Sequence, residues 1–179
     1  TPDGKKLYDT LGFAEEFRLT RYQILNFTSD KEESNINCQP MKVSDLANII
    51  KKDSVIFGAD RSAILKHLQK NKSDLAWVCK SKNKITGYCF GRAGSNFTQI
   101  GPLIADRQEV AETLLLSALK ESKGENYIID SLDSQTSFNA FIKNLGFTKQ
   151  RPFIRMYLGK HPFPGQPQFQ YLIAGPELG

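Results

Sequence analysis

Carboxylates and arginines near the ends of predicted strands are the residues of this chain whose types and positions could do chemistry. Asp130 is the one charged residue of the segment YIIDSL and lies at its polar end, and Asp133 and Asp60 are the next best placed carboxylates. A carboxylate in such a position can exchange a proton with a substrate, but it also suits a strand-end turn or a helix cap. Arg61 and Arg155 could bind an acidic substrate or pair with structural carboxylates.

Histidine and cysteine chemistry has little support in the sequence. His67 lies among leucines on a predicted helix, and His161 precedes a proline without an evident partner. The three cysteines, Cys38, Cys79 and Cys89, are odd in number and lack metal-ligand spacing. Buried thiols are common in apolar segments such as theirs, so the pattern predicts a reduced, intracellular protein, placed in the cytoplasm, without a metal site.

Length and composition limit the classes of function. The 179 residues, 40% of them hydrophobic, suffice for one well-packed domain and an appendage. The net charge of +5 comes from scattered lysines and arginines, which argues against nucleic-acid binding and suits a solvated surface or a polyanionic cofactor such as a nucleotide or coenzyme A. The apolar runs are too short to cross a membrane, and no signal peptide opens the chain.

The elements that must position these residues follow from hydrophobic periodicity and turn residues. Predicted helices cover residues 4–11, 43–52, 61–70, 107–122 and 136–145, and predicted strands cover 15–25, 75–81, 85–94, 97–105, 127–132 and 151–158. Residues 53–61 are predicted as a loop, and Ser44 as a helix cap. The proline- and glycine-rich tail is left irregular, but its apolar stretch FQYLIAG is expected to pack back onto the body.

The turn Leu-Gly-Phe occurs twice, ending at Phe13 and at Phe147. An offset of 134 residues also places Leu7 on Phe141, Tyr8 on Ile142, Leu11 on Leu145 and Arg21 on Arg155. The match is either an internal repeat or a convergence on the same helix, glycine cap and strand. The chain lacks an initiator methionine and begins inside a predicted helix, as expected if its N-terminus is cut or processed.

The order of elements resembles the GCN5-related N-acetyltransferase (GNAT) superfamily. The segments FGADR, IGPLIAD, PFIRMYLG and AGPELG resemble the C-terminal acetyltransferase domain of tandem GNAT proteins. The resemblance implies an α/β (α+β) fold with a mixed, mostly antiparallel central sheet, splayed central strands and flanking helices. Residues 1–27 would be the last helix and strand of a preceding GNAT repeat, 28–37 a linker, and 38–179 a GNAT-like domain.

The same resemblance implies acetyl-CoA as cofactor, bound where two central strands splay, with its pyrophosphate on backbone N–H groups at a helix N-terminus. The corresponding stretch ADRQEVAE has no glycine, and it carries Glu109 and Glu112 near the helix start. Ser134 or Gln135 could bind the pantetheine arm. The residues expected at the cofactor are Leu103, Ile104, Ala105, Arg107, Gln108, Val110, Ala111 and Gln135.

For catalysis, Asp130 is the proton acceptor best placed by its sequence position, and the resemblance assigns Tyr8 as the acid for the coenzyme A thiolate. Tyr8 matches the family's acid in the first, incomplete copy, whereas Ile142 occupies that position in the complete one. The implied function is direct acetyl transfer from acetyl-CoA to a primary amine, on a small molecule, a protein N-terminus or a lysine. The alternative is a degenerate, non-catalytic GNAT domain that binds a ligand or regulates a tandem catalytic domain. A homodimer and a missing N-terminal GNAT domain both remain open as partners.

Overall fold

A single sheet organises the chain, whose computed structural model describes residues 2–28, 36–120, 124–160 and 164–178. The eight strands are β1 Phe13–Ile24, β2 Cys38–Pro40, β3 Trp77–Ser81, β4 Lys84–Ala93, β5 Thr98–Ala105, β6 Tyr127–Leu132, β7 Thr148–Leu158 and β8 Gln170–Leu172. Their order is β2-β3-β4-β5-β8-β6-β1-β7, and every pairing is antiparallel except the parallel pair β5–β6. The predicted mixed, mostly antiparallel sheet is confirmed.

Helices cover both faces of this sheet. They are α1 Pro2–Thr10, α2 Leu46–Phe57, α3 Ser62–Asn71, α4 Gln108–Lys120 and α5 Thr136–Asn144. Alternate residues of the central strands point to opposite faces: Val78 and Tyr88 pack with α2 and α3, whereas Cys79 and Cys89 pack with α4 and α5. Residues 121 and 122 of the predicted fourth helix, residues 29–35 of the predicted linker, and His161 lie outside the described residues.

The second helix differs from its prediction. Ser44 lies in a 3-10 turn instead of capping the helix, and the helix continues to Phe57 through the residues predicted as a loop. It continues because Asp53 and Ile56 face the protein interior, and it ends at Gly58, whose φ of 87° favours glycine.

Two cysteines also differ from their prediction as free thiols. Cys38 and Cys79 lie opposite each other on β2 and β3 and form a disulfide. The expectation of a fully reduced chain was wrong for this pair, because cross-strand neighbours cannot be recognised from spacing in the sequence. Cys89 is free and buried, and its burial raises the pKa of the thiol. Every helix in the described part of the chain is too short or too polar to span a bilayer.

The repeated Leu-Gly-Phe element has the same structure in both copies. The bounds of α1 and α5 differ by the 134 residues of the sequence offset, and both helices are followed by a glycine with positive φ, 84° at Gly12 and 100° at Gly146. The strand of the first copy, β1, lies inside this sheet, between β6 and the strand of the second copy, β7. The strand of the first copy therefore pairs with two strands from the later part of the chain.

A buried ionic cluster fixes α2 and α3 against β4. Arg61 donates two hydrogen bonds of 2.8 Å to the carboxylate of Asp53, and the Tyr88 hydroxyl donates to the same carboxylate. Arg61 and Asp53 are 5% and 1% exposed. Burial and then the charge of Asp53 raise the pKa of Tyr88 well above its usual value. Of the two roles left open for Arg61, the structure shows the pairing with a structural carboxylate.

We predict that Arg61→Met lowers the free energy of unfolding by about 3–5 kcal/mol, because it leaves the Asp53 carboxylate buried without its counter-ion. Urea denaturation followed by circular dichroism measures this change. Arg107→Met is the matched control, since the Arg107 side chain is 67% exposed, and it should change stability by less than about 0.5 kcal/mol. Equal effects of the two substitutions would contradict the structural role of the cluster.

Candidate functional site

The central strands β5 and β6 separate halfway along their length. They are paired from Thr98 and Tyr127 as far as Ile100 and Ile129, and no direct β5–β6 pairing follows in the described residues. We call the gap between residues 101–105 of β5 and residues 130–132 of β6 the slot. It is the place where the family resemblance puts the pantetheine arm of acetyl-CoA.

The slot is filled by residues from the C-terminal end of this chain. We call residues 164–178 the tail segment; its strand β8 pairs antiparallel with Leu103 and Ile104 on one side and with Ser131 on the other. The Ile173 N–H donates to the Asp130 carbonyl oxygen at 3.0 Å, and the Ser131 hydroxyl donates to the Tyr171 carbonyl oxygen at 3.1 Å. The backbone edges predicted to contact the cofactor are thus bonded to protein.

Gln135 also contacts the tail segment. Its side-chain amide donates to the carbonyl oxygens of Gln168 and Gln170, both at 3.0 Å, and to that of Pro167 at 3.4 Å. In this structure the Gln135 amide is therefore engaged by the backbone of the tail segment, and its binding to the pantetheine arm stays a prediction. The predicted packing of the tail onto the body is confirmed, since residues 170–174 are all buried.

Gly101 allows the tail segment to approach this closely. Its φ of 144° is a conformation that favours glycine, and a Cβ at this position would overlap the carbonyl oxygen of Ile173. The side chain of Tyr171 packs edge-to-face on Phe138 of α5, with 5.1 Å between ring centroids. The backbone of β5 and the aromatic side chains of α5 are thus both fitted to the tail segment.

The first turn of α4, the expected pyrophosphate site, is flanked by acidic side chains. Arg107 is exposed and lies 3.9 Å from Glu109, and Gln108 donates to Glu112 at 2.6 Å. Burial, followed by the negative charges of Glu109 and Glu112, raises the pKa of the Tyr171 hydroxyl. The backbone N–H groups of this turn would attract an anion, but the two carboxylates oppose a pyrophosphate.

Three more of the residues expected at the cofactor are buried beside this turn. Val110 and Ala111 pack into the core against the sheet, together with Ala105 at the end of β5. The Ala111 N–H already donates to the Arg107 carbonyl oxygen. The residues predicted to contact the cofactor thus lie near one another, around the slot and the start of α4.

Asp130 is fully buried and holds β1 to β6. Arg21 of β1 donates to its two carboxylate oxygens at 2.7 and 2.8 Å, and the Gln99 side chain donates a third hydrogen bond at 2.8 Å. The hydrogen bonds from Arg21 to Asp130 raise the pKa of the Arg21 guanidinium. As a proton acceptor, Asp130 would first have to exchange these partners for a substrate. Sequence reasoning missed Gln99, and it noted Arg21 only as the repeated counterpart of Arg155.

The other two carboxylates have structural partners. Asp133 accepts a hydrogen bond from the Thr20 hydroxyl at 2.7 Å, and Asp60 accepts one from the Ser62 N–H at 2.8 Å at the start of α3. Asp60 thus satisfies a backbone donor of that helix. His67 lies on the same helix, within 3.0 Å of the Asn71 side chain.

Tyr8 lies far from the slot. It is 46% exposed on α1, packs edge-to-face on Phe13, and borders a cavity of about 350 Å³ between α1 and β7. Arg21, the partner of Asp130, lies eight positions after Phe13 along β1, which corresponds to roughly 26 Å at about 3.3 Å per residue. The two predicted catalytic residues are therefore not brought together in one site of this chain.

Known structures share this fold, and a family model identifies the family of the chain. A putative acetyltransferase of Pyrococcus horikoshii superposes with a TM-score of 0.76 at 23% identity, over 100% of this chain and 58% of that one. A GCN5-related N-acetyltransferase of Sphaerobacter thermophilus superposes with a TM-score of 0.60 at 10% identity, over 92% and 59% of the two chains. These likenesses show the GNAT fold. A family model described as an acetyltransferase (GNAT) domain matches residues 49–172, and the chain belongs to this family.

Two curated relatives align with nearly the whole chain. Holothin acyltransferase of Pseudoalteromonas sp. is 26% identical over 99% of this chain and 60% of its own length. The uncharacterized N-acetyltransferase YitH of Bacillus subtilis is 24% identical over 100% of this chain and 63% of its own length. The chain thus spans about three fifths of the length of these relatives.

We predict that Gln135→Ala loosens the tail segment, because it removes the donor for three backbone carbonyl groups. Amide hydrogen exchange of residues 170–173, measured by mass spectrometry, should accelerate at least about 10-fold, as expected from the loss of hydrogen bonds worth about 1 kcal/mol each. Gln150→Ala is the control, since the Gln150 side chain bonds Gln23 on the exposed surface. Unchanged exchange in Gln135→Ala would show that Gln135 does not hold the tail segment.

Proposed function

We propose that the protein is an N-acyltransferase that transfers an acetyl group from acetyl-CoA to a primary amine. Membership of the GNAT acetyltransferase family supports the reaction class. The alignment of holothin acyltransferase with nearly the whole chain supports acyl transfer in particular. The acceptor class, a small-molecule amine, a protein N-terminus or a lysine, stays a prediction.

Direct transfer sets the chemical requirements of the site. The neutral amine attacks the thioester carbonyl, the carbonyl oxygen takes up negative charge, and collapse of the tetrahedral intermediate expels the coenzyme A thiolate. A proton acceptor must first deprotonate the ammonium group, and a proton donor must neutralise the thiolate. Backbone N–H groups aimed at the oxyanion stabilise the intermediate.

We place this chemistry in a preceding GNAT unit, of which α1 and β1 are the closing helix and strand. The observation that carries this assignment is β8, which occupies the slot in the unit formed by residues 36–178. The residue at position 8 also supports the assignment of catalysis to the preceding unit. Tyr8 is accessible at the side of α1 that borders a cavity, whereas its counterpart Ile142 is fully buried and has no proton to donate.

The unit formed by residues 36–178 then has the role of a non-catalytic partner. Its slot is closed by its own tail segment, and Glu109 and Glu112 flank the helix start where a pyrophosphate would lie. Asp130, the predicted proton acceptor, is engaged by Arg21 and Gln99. Each of these features argues against acyl transfer in the slot and favours a role in which this unit supports the preceding one.

We predict that Tyr8→Phe, in the protein at its natural length, lowers kcat by about 100-fold or more, the usual contribution of a general acid. Release of coenzyme A thiol in the presence of an amine panel measures this effect. Tyr171→Phe removes the same hydroxyl from the tail segment and should leave kcat within about twofold, since a structural hydroxyl has no part in the proton transfer.

The opposite pattern would place catalysis in the slot. A loss of activity in Tyr171→Phe together with full activity in Tyr8→Phe would contradict the assignment to the preceding unit. Titration of acetyl-CoA into residues 1–179 provides an independent measurement, with no heat of binding and no thermal shift expected. Stoichiometric binding there would show that the tail segment leaves the slot for the cofactor.

A further inference from the structure

The pairing of β1 with β7 has a local two-fold symmetry that matches the sequence repeat. Leu19 pairs with Phe153, its own counterpart at the offset of 134 residues. On either side of this centre, Arg21 pairs with Arg151 and Phe17 pairs with Arg155, and the offset exchanges these two pairs. The two strands are therefore equivalent both in sequence position and in geometry.

The irregularities of the two strands obey the same symmetry. One register shift lies at Glu16 of β1, between the ladder pairs of Glu15 and Phe17, and the other lies at Gln150 of β7, between the ladder pairs of Lys149 and Arg151. Glu16 and Gln150 differ by 134, the offset of the repeat. The equivalent register shifts support the equivalence of β1 and β7, as expected if each is the last strand of a related unit and the two units exchange these strands.

This symmetry makes the surroundings of β1 and β7 comparable. The edge of β1 that faces away from β7 pairs with β6 over residues 19–24, whereas β7 has no second neighbour among the described residues. The equivalent stretch of β7 is residues 153–158. Pro152, which has no N–H to donate, lies just before it, and its counterpart Arg18 likewise lies just before the β1–β6 ladder. Residues 153–158 can therefore accept a strand as β1 accepts β6.

The helices show the same difference in coverage. Leu7 and Leu11 of the first copy are 61% and 58% exposed, whereas their counterparts Phe141 and Leu145 pack against the core. Leu158, at the end of the equivalent stretch of β7, is 60% exposed. An apolar helix face beside an unpaired strand edge marks a surface that is buried in a larger assembly.

We infer that the apolar face of α1 and the outer edge of β7, residues 153–158, together bind the body of a preceding GNAT unit in the same polypeptide. That unit provides a strand antiparallel to β7, as β6 is to β1, and a helix over α1, as α4 lies over α5. The inference rests on the proposed function, in which α1 and β1 belong to that unit. It adds the surface through which the two units join.

The two-fold relation between β1 and β7 also indicates which strand pairs with the outer edge of β7 and which contact Arg155 makes with it. The strand that pairs with β7 must be the counterpart of β6, and the β6 of a second copy is already held between β8 and β1. The curated relatives have about two fifths of their length beyond the part matched by this chain, enough for the rest of a unit. Arg155, the counterpart of Arg21, lies 2.8 Å from Glu16 and is placed to bind a carboxylate on the incoming strand, as Arg21 binds Asp130.

Two substitutions test the surface. Leu7→Lys places a charge on the apolar face of α1, and Val55→Lys makes a similar change on α2, where the side chain has the same 61% exposure but lies outside the surface. In the natural-length protein, Leu7→Lys should accelerate amide hydrogen exchange of residues 153–158 at least about 10-fold, whereas Val55→Lys should not, because local opening sets the exchange rate. In residues 1–179 alone, the amides of residues 153–158 that face away from β1 should exchange fast with or without either substitution, whereas the amides bonded to β1 stay protected.

Three results would overturn the inference. They are equal exchange of residues 153–158 in the natural-length protein and in residues 1–179, a natural polypeptide without a GNAT unit upstream, and self-association of residues 1–179 that Leu7→Lys abolishes. The last would assign the surface to a second copy. These readouts need no acetyl-CoA, so the surface can be confirmed even if the Tyr8→Phe measurement contradicts the proposed function.

Discussion

The ion pair between Arg21 and Asp130 is the interaction on which the arrangement of the sheet depends. The Asp130 side chain is fully buried, and the Arg21 side chain is 12% exposed. Removal of either partner would leave the other charge buried without a counter-ion, which lowers the free energy of unfolding by about 3–5 kcal/mol. The two residues are 109 positions apart. The pair therefore selects β1, among all strands of suitable pattern, for the place next to β6, and β1 in turn provides the edge on which β7 is built.

The tail segment pairs with the edges of β5 and β6 that the separation of these strands leaves open. Two splayed strands expose backbone donors and acceptors that must be satisfied by a ligand, by water or by protein. Here β8 satisfies them, and Gln135 binds the carbonyl groups of the segment that reaches it. A slot filled in this way gains backbone hydrogen bonds without the entropy cost of binding a separate molecule.

Local patterns predicted most of the fold, because helices, glycine caps and hairpins are determined by neighbouring residues. The repeated Leu-Gly-Phe element is the clearest case, since Gly12 and Gly146 end equivalent helices. Contacts distant in sequence were not predictable in the same way. The three residues of β8 are too few for a periodic signal, and the partners of Asp130 come from strands that only the folded sheet brings together.

In the proposed arrangement, strand exchange gives a unit with a closed slot a role in supporting a catalytic one. The helix that carries Tyr8 continues through Gly12 into β1, and β1 is held on both edges by strands of the unit that follows. A proton donor acts only when its position is fixed relative to the departing group. In the proposed arrangement, the buried pair of Arg21 and Asp130 and the ladder with β7 anchor one end of the catalytic unit. Loss of the closed unit would therefore impair catalysis without removing a reacting group.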